Sequence, residues 1–438
     1  MRTFAVVAVA GVLLATSGCT DGPDAESISV SKQPVWASSQ LGMNRVSGVA
    51  MADDTAVVSG HAHSERLAAV DGETGRVRWT IDDKDPLPGG KGARAHAGSG
   101  YDGFRDPSGE PLVVRDGDEW SAVVGYSRTR TTAKARVEEH GLALVSVNDG
   151  AVEWLSPPLT AGRAEVDDNT IGETVGLRGI GLGAVGGEVV VASLRAEDEG
   201  ATTEDLRMVA LSTSDGRKLW EKTGVWPGAV AGDVVLGHVP KPSAPLTSAS
   251  RAAEGYQNTT VVAFDAGSGE RRWDLAKRFP LARLDTVAGD LAVVDAEPDP
   301  DADTDTNFMD HTVIVDVDTG RTVHKFRSLA SCDSDGRALI ACNAVGREGL
   351  ATIRSTEREV RYSAGAVDGA SSWSVTDVWK GHVFIEADGA HIVVDREGRR
   401  IGREMPGEVM AISGRYAVFA SPGADGSDAR CAGYRVFR

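Results

Sequence analysis

The chain has 438 residues, a formal net charge of -18, and 41% hydrophobic against 25% charged residues. This composition is globular and excludes a disordered, collagen-like or polytopic membrane protein. The acidic balance argues against a nucleic-acid partner, because binding to phosphates needs a basic surface. Length alone predicts two or three domains, but all-β barrels and propellers run long as single domains.

Residues 1–18 predict a signal peptide. Arg2 precedes the apolar run Phe4–Ala15, which is too short to cross about 30 Å of hydrocarbon but suits a signal sequence. The run leads into Thr16-Ser17-Gly18-Cys19, and small residues ending in cysteine resemble a bacterial lipobox, although Thr16 stands where leucine is commonest. The resemblance implies that acyl chains on Cys19, palmitate among them, anchor the protein to the cell membrane on its extracytoplasmic face. The alternative is an ordinary secretory signal with a nearby cysteine.

Residues 19–33 are polar and predict a flexible tether between the anchor and one domain, residues 34–438. No later segment is apolar enough to span a bilayer. The acidic charge suits a protein that should not adhere to anionic lipid. The predominance of arginine over lysine, with abundant Ala, Gly and Val, indicates a high-GC bacterium.

A repeated hairpin dominates the domain. Each copy has an apolar strand, an Asp- or Ser-rich turn with glycine, and a strand ending in a large residue. A single hairpin cannot bury a tryptophan, so the copies must stack. The copies span residues 67–80, 144–155, 208–221, 261–274, 313–327, 350–363 and 391–402, and we expect Trp79, Trp154, Trp220 and Trp273 to pack between units, with His324 or Phe326 in the fifth.

A second hairpin of the form strand, Gly/Asp turn, strand precedes each copy, so the unit has four short antiparallel strands. Helical periodicity is absent nearly throughout. Four-stranded units around a ring form a β-propeller, and the spacing favours eight blades, with seven as the alternative. Residues 431–438 offer a further strand, and Val35-Trp36 offers its partner, so pairing of the first and last strands would close the ring.

Four long loops interrupt the repeats, at residues 82–110, 157–176, 241–255 and 295–310. We expect the first, second and fourth to form a contact surface. The fourth alternates carboxylates in the manner of a Ca²⁺ loop, although Thr304 stands where such a loop needs glycine. The alternative is a solvated loop of repelling charges. The candidate Ca²⁺ ligands are Asp299, Asp301, Asp303, Asp305 and Asp310.

Cys332 and Cys342 bracket the turn signal Asp335-Gly336, which would place them on facing strands. We therefore predict a disulfide between them, as an oxidising compartment allows. Cys431 is then a buried free thiol. A Cys342–Cys431 disulfide is the main alternative.

The pattern Ala-x-Asp-x-x-x-Gly-x-x-x-Trp, complete at Ala69–Trp79, resembles the tryptophan motif of the PQQ-like β-propeller repeat. The resemblance covers about residues 34–438. That family includes quinone-dependent alcohol dehydrogenases, an outer-membrane assembly lipoprotein and sensor domains, so the fold does not fix the function. Such dehydrogenases carry a vicinal Cys-Cys pair over the cofactor, which this sequence lacks, so we expect neither PQQ nor another cofactor.

The sequence thus predicts a monomeric, non-catalytic propeller that presents its rim or central funnel to a protein, peptide or glycan. One alternative is a quinoprotein oxidoreductase or another propeller enzyme. A second alternative is a protein-assembly factor of the cell envelope.

Overall fold

The repeated hairpins fold as eight antiparallel sheets that follow one another along the chain. The first strands of successive sheets contact each other, so the sheets surround one axis as the blades of a propeller. This confirms the predicted all-β class and the count of eight blades. The computed structural model describes residues 29–61, 65–83, 85–96, 111–116, 118–131, 136–164, 180–186, 188–194, 206–240, 259–297, 311–344, 349–363, 370–402, 404–413, 415–421 and 430–437.

The chain enters through two short strands and a 3₁₀ turn (Ser38–Leu41), and then builds blades 1 to 4 in order. The strands are β1 (Ser29–Val30) and β2 (Trp36–Ala37); in blade 1, β3 (Arg45–Ala52), β4 (Thr55–His61), β5 (Glu65–Asp71) and β6 (Val77–Asp82); in blade 2, β7 (Arg94–His96), β8 (Val113–Asp116), β9 (Glu119–Thr131), β10 (Arg136–Ser146), β11 (Val152–Leu155) and β12 (Thr160–Ala164); in blade 3, β13 (Ile180–Gly186), β14 (Val189–Leu194), β15 (Arg207–Ser212) and β16 (Lys218–Thr223); in blade 4, β17 (Trp226–Ala231), β18 (Val234–Pro240), β19 (Thr259–Asp265) and β20 (Arg271–Asp274).

Blades 5 to 8 complete the ring, and the last blade takes its outermost strands from the start of the chain. The strands are, in blade 5, β21 (Ala282–Ala288), β22 (Leu291–Ala296), β23 (His311–Asp316) and β24 (Thr322–Lys325); in blade 6, β25 (Ala330–Ser334), β26 (Leu339–Ala344), β27 (Gly349–Arg354) and β28 (Val360–Ser363); in blade 7, β29 (Trp373–Trp379), β30 (His382–Ala387) and β31 (Ala390–Asp395); in blade 8, β32 (Glu408–Ile412), β33 (Tyr416–Ser421) and β34 (Arg430–Phe437).

Ring closure follows the prediction. Trp36 pairs with Gly433 and Ala37 with Ala432, so β2 lies beside β34. The strand β1 extends the same edge, with Ser29 opposite Phe437. Strands from the two ends of the ring therefore share one sheet, and the outer side of β34 is covered instead of left as an open edge.

Three blades depart from four strands, and blade 8 has five because both β1 and β2 pair with β34. In blade 2 the β9–β10 hairpin is unusually long, and the short strands β7 and β12 pair with its outer part. Blade 7 has three strands, because only Arg400 bridges to Val394 where the seventh repeat predicted a strand. Gly398, Gly402 and Pro406 punctuate that segment, and such residues disfavour continuous strand pairing.

The ring has two faces, because each blade begins at its inner strand and alternates in direction. We call "turn face" the side that carries the tight turns between the first and second strands and between the third and fourth strands. We call "loop face" the opposite side, where the second and third strands are connected and where one blade passes to the next. All four long loops leave the strands on the loop face. Among the residues that the structure describes, no helix could span a membrane.

Tryptophan on glycine joins neighbouring blades in one half of the ring. The indole of Trp220 donates from Nε1 to the carbonyl oxygen of Ala266 at 2.7 Å, and its ring covers Gly269 in the next blade. A Cβ on that glycine would lie 2.7 Å from the indole, and its φ of +70° also favours glycine. The same arrangement recurs for Trp79 on Gly150, Trp154 on Gly216 and Trp273 on Gly320, each indole bonding the carbonyl three residues before the glycine. At the ring closure Trp36 lies against Gly75.

Candidate functional site

The inner strands carry a feature that the sequence did not reveal. In six blades a β-bulge interrupts the strand nearest the axis, at Ser47, Gly183, Gly228, Asp285, Thr376 and Met410. A bulge inserts one unpaired residue and re-aims its side chain, and bulges are frequent beside functional sites. The bulge in blade 5 inserts Asp285, a carboxylate, into the wall around the ring axis.

Asp285 and Asp333, from the inner strands of blades 5 and 6, have perturbed acidity. Burial among protein atoms, together with the nearby carboxylates of Asp295 and Asp333, raises the pKa of Asp285 to about 7. Burial also raises the pKa of Asp333 to about 6. Water nevertheless reaches Asp285. Asp285 thus lies on an inner strand near the ring axis, among protein atoms but in contact with water.

A guanidinium accompanies these carboxyl groups. Arg283 lies two residues before Asp285, and its Nη2 donates to the buried carboxylate of Asp295 at 2.7 Å, while about half of its side chain stays exposed. Asp295 also accepts a hydrogen bond from Thr312 Oγ1 at 2.8 Å. The guanidinium is thus fixed at its inner end and free to meet a ligand at its outer surface, close to the loop face.

Backbone and hydroxyl hydrogen bonds hold blades 5 and 6 in register here. The backbone N–H of Cys332 donates to the Asp285 carboxylate. The Ser334 hydroxyl donates to the carbonyl oxygen of Val287 at 2.6 Å and lies 2.8 Å from the Thr286 hydroxyl. These contacts fix the relative positions of two inner strands, so Asp285 and Asp333 belong to one preorganised group.

The predicted disulfide lies at the same place. Cys332 and Cys342 are directly opposite on β25 and β26, with Cα atoms 4.0 Å apart, and they are bonded. In blade 6 this cross-strand pair stands where other blades have the bulge. Because Cys342 is bonded to Cys332, the alternative Cys342–Cys431 disulfide is not formed. Cys431 is a buried thiol, and its burial raises its pKa to about 12.

Other predicted residues lie elsewhere. Cys19 and the five aspartates at positions 299, 301, 303, 305 and 310 are outside the described residues, so their lipidation and Ca²⁺ binding stay predictions. Within the described part of the chain, no group of three or more His, Cys, Asp or Glu side chains is arranged to hold a metal ion. Trp36, Trp79, Trp154, Trp220 and Trp273 lie between blades, far along the sheets from the inner strands.

Tryptophans outside the repeated position are open to a functional role on sequence grounds. Trp226 is buried at the start of an inner strand beside His238, whose pKa burial lowers to about 4, with help from Arg283. Trp379 is also buried. Trp120 donates to Asp53 Oδ2 at 2.8 Å on the turn face. These contacts serve packing. The fourth such tryptophan, Trp373, begins the inner strand of blade 7 at the loop face, where it lies half-buried against the core between blades 6 and 7.

Each of the first two long loops adds a strand to the sheet of blade 2. The strand β7 comes from the first loop and β12 from the second, and they flank the outer part of the β9–β10 hairpin. The result is a four-stranded projection that rises from blade 2. Arg128 on this projection is paired with the buried carboxylate of Glu139 at 2.5 Å.

The arrangement can bind polar groups and move a proton. Carboxyl groups with pKa values near neutrality donate as well as accept hydrogen bonds, and a guanidinium offers further donors. Together, Arg283, Asp285 and Asp333 fit hydroxyl, amide or carbonyl groups that enter from the loop face. Below we call them the channel group.

Comparisons with known proteins bear on the fold. No family model and no curated protein matches the chain. Among solved structures it is similar to BamB from Moraxella catarrhalis (13% identity, 89% of this chain and 82% of that one, TM-score 0.34). It is also similar to a quinohemoprotein alcohol dehydrogenase from Comamonas testosteroni (11% identity, 94% and 76%, TM-score 0.42) and to the Dos1 propeller (8% identity, 90% and 92%, TM-score 0.43). Likeness at this level concerns the fold alone.

Proposed function

We propose that this chain is a membrane-anchored, extracytoplasmic binding protein that holds a protein, peptide or glycan partner at the loop face of its propeller. The observation that carries the proposal is the channel group, where Asp285 is open to water although protein surrounds it. Such a group suits recognition, because its side chains are held by a second layer of hydrogen bonds before any ligand arrives. The anchor would be the acylated Cys19.

A pull-down tests the binding role. The full chain is crosslinked in the membrane of the cell that makes it, alongside an Arg283→Ala/Asp285→Asn variant. The control is Arg271→Ala/Asp274→Asn, which removes an ion pair from the outer strand of blade 4. We expect the wild type and the control to recover the same partner and the channel variant to lose it. Retention of the partner by the channel variant would overturn the assignment of the site.

A second candidate function is catalysis by Asp285 as a general acid. Its pKa of about 7 favours this candidate, because a catalytic acid works best near the ambient pH. A propeller hydrolase or lyase acting on a glycan would fit such a group. Incubation of the protein with candidate glycans decides between the two: turnover that Asp285→Asn abolishes supports the enzyme, and binding without turnover supports the binding protein.

A separate measurement tests the anchor. We expect the wild-type chain in the membrane fraction and a Cys19→Ser variant in the soluble fraction. Intact mass of the wild type would show the added acyl chains at the N-terminal cysteine.

A further inference from the structure

The strand that links the ring to its tether enters at the turn face. Ser29 lies opposite Phe437, and β34 runs from the loop face at Arg430 to the turn face at Phe437. Two hydrogen bonds confirm that this end of β34 lies at the turn face. The N–H of Val436 donates to the carbonyl oxygen of Arg415 in the first turn of blade 8. The guanidinium of Arg435 donates to the carbonyl oxygen of Glu73, which lies in a turn of blade 1.

The distance from this entry point to Cys19 is short. Cys19 is ten residues before Ser29, so the intervening chain spans at most about 35 Å when fully extended. A tether as flexible as its sequence predicts spans about 17 Å on average. The eight residues of β34 separate the two faces by about 26 Å. To lay the loop face on a membrane, the tether would have to run back along the whole blade, nearly stretched out.

From this geometry we infer that the propeller stands with its turn face toward the bilayer and its loop face away from it. The inference rests on the proposed anchor at Cys19. It makes the bilayer the neighbour of the turn face and leaves the mouth of the channel group, and the projection of blade 2, to a partner outside the membrane. The partner therefore approaches from the extracytoplasmic space, and need not be a lipid or a membrane-embedded segment.

The charge of the turn face says how the two surfaces meet. Its turns carry exposed acidic residues such as Asp53, Glu73 and Asp149, but Asp215 and Asp233 pair with Arg217 and Arg272 beside them. Acidic and basic side chains are therefore mixed on this face, and it presents no uniform charge that would bind anionic lipid headgroups. The tether alone thus keeps the turn face near the bilayer, and no headgroup site is required.

The test couples the Cys19 thiol of the chain 19–438 to a maleimide lipid in neutral phosphatidylcholine vesicles. Cys431 is buried and the other two cysteines are bonded, so Cys19 is the thiol open to reaction. A fluorophore is then placed through an encoded azide at Glu73 on the turn face or at His61 on the loop face of the same blade. Both positions are exposed. Energy transfer to an acceptor lipid in the bilayer reports the height of each probe.

We expect transfer from position 73 to exceed transfer from position 61 at least several-fold. Equal transfer, or stronger transfer from position 61, would overturn the orientation. Insertion of thirty Gly-Ser residues within positions 20–28 should reduce the difference, because a long tether no longer favours one face; an unchanged difference would show that something other than the tether sets the orientation and would also contradict the inference. Chemical coupling makes this result independent of cellular acylation, which the Cys19→Ser fractionation tests separately.

Discussion

Neighbouring blades are held together by different interactions in two parts of the ring. From blade 1 to blade 5 each junction buries a tryptophan on a glycine turn of the next blade. Between blades 5 and 6 the tryptophan position holds His324, opposite Ile314, and the glycine position holds Arg358 with a φ of +55°. Arg358 pairs with Asp290 and with Asp316 Oδ2 at 2.6 Å, so charges tie these blades together.

The replacement of tryptophan by His324 and the replacement of glycine by Arg358 depend on each other. In the tryptophan junctions a Cβ at the glycine would come within 2.4–3.0 Å of an indole carbon. A residue with a side chain at that position therefore excludes tryptophan, and a smaller ring such as His324 must replace it. Between blades 6 and 7 the tie is again ionic, because both guanidinium nitrogens of Arg396 bind the Glu357 carboxylate at 2.9 Å. The comparison predicts unequal sensitivity to mutation.

Truncation of a junction tryptophan should have the largest effect. Trp220→Ala is expected to lower the free energy of unfolding by about 3–5 kcal/mol, since it empties a buried position and orphans the carbonyl of Ala266. His324→Ala should cost under about 1 kcal/mol, because its neighbour Tyr362 is exposed. Urea denaturation measures both. Equal losses would contradict the contrast between the two parts of the ring.

The disulfide should matter next, because it strengthens the part of the ring without tryptophan junctions. Reduction, or Cys332→Ala with Cys342→Ala, is expected to lower stability by about 2–3 kcal/mol for a loop this short. The thermal midpoint with and without reductant tests it, and Cys431→Ala under both conditions serves as the control. A thermal midpoint that reductant leaves unchanged would show that the disulfide does not contribute to stability.

A glycine in a tryptophan junction should tolerate no side chain. Gly269→Ala is expected to cost about 1–3 kcal/mol, because the new methyl group meets the indole of Trp220 and φ is positive. Gly232→Ala is the matched control: its φ is +59° but nothing lies near its Cβ, so it should cost only about 1 kcal/mol. If both variants lost the same stability, backbone strain alone would explain the glycine.

Rebuilding the missing junction tests the dependence directly. His324→Trp alone should destabilise, because the side chain of Arg358 blocks the indole. Arg358→Gly alone should lose the ion pairs and relieve the positive φ, for a net change within about 1 kcal/mol. The double variant should be more stable than the sum of the two predicts, by about 1 kcal/mol or more. Additive effects in the double-mutant cycle would refute the dependence.

The smallest effect concerns pH at the channel group. The pKa values of Asp285 and Asp333 are raised to about 7 and about 6, above the unfolded value near 4. The folded state therefore binds the protons of Asp285 and Asp333 more tightly than the unfolded chain does. Their contribution to the free energy of unfolding is fully present below about pH 4 and is lost as the pH rises through 6 to 7.

Replacement of Asp285 by asparagine removes the part of the pH dependence of stability that this carboxyl group contributes. Relative to wild type, Asp285→Asn should gain about 1–2 °C in thermal midpoint at pH 8 and nothing at pH 4. Asp118→Asn, at a fully exposed position, is the control and should change little at either pH. A gain that is the same at both pH values would mean that Asp285 carries no raised pKa.

Sequence reasoning reached the ring because its signals are local. A turn glycine and a tryptophan four residues later, as in Gly75 and Trp79, recur in the first four hairpins, and the terminal pieces fit the incomplete unit. The channel group gave no such signal. Its members Asp285 and Asp333 are 48 residues apart, and only the assembled ring brings them together.

The inner-strand bulges explain why the start of several inner strands cannot be read from the sequence. In blade 1 the alternation is readable only from Gly48, in blade 4 from Ala229 and in blade 5 from Val287, whereas the strands begin at Arg45, Trp226 and Ala282. The bulge at Ser47, Gly228 or Asp285 breaks the two-residue period at that point. A charged residue just before a readable strand was the available sign of Asp285.

The shared sheet of blade 8 also determines when the ring can close during synthesis of the chain. Its outermost strand is made first and its third strand last, so the ring stays open until residues 430–437 have been made and delivered. A ribosome that stops before that point releases a chain with an unpaired Trp36 segment at one end and an uncovered β33 at the other. Residues 430–437 therefore complete the ring, because they cover β33 on one side and give the Trp36 segment its partner on the other.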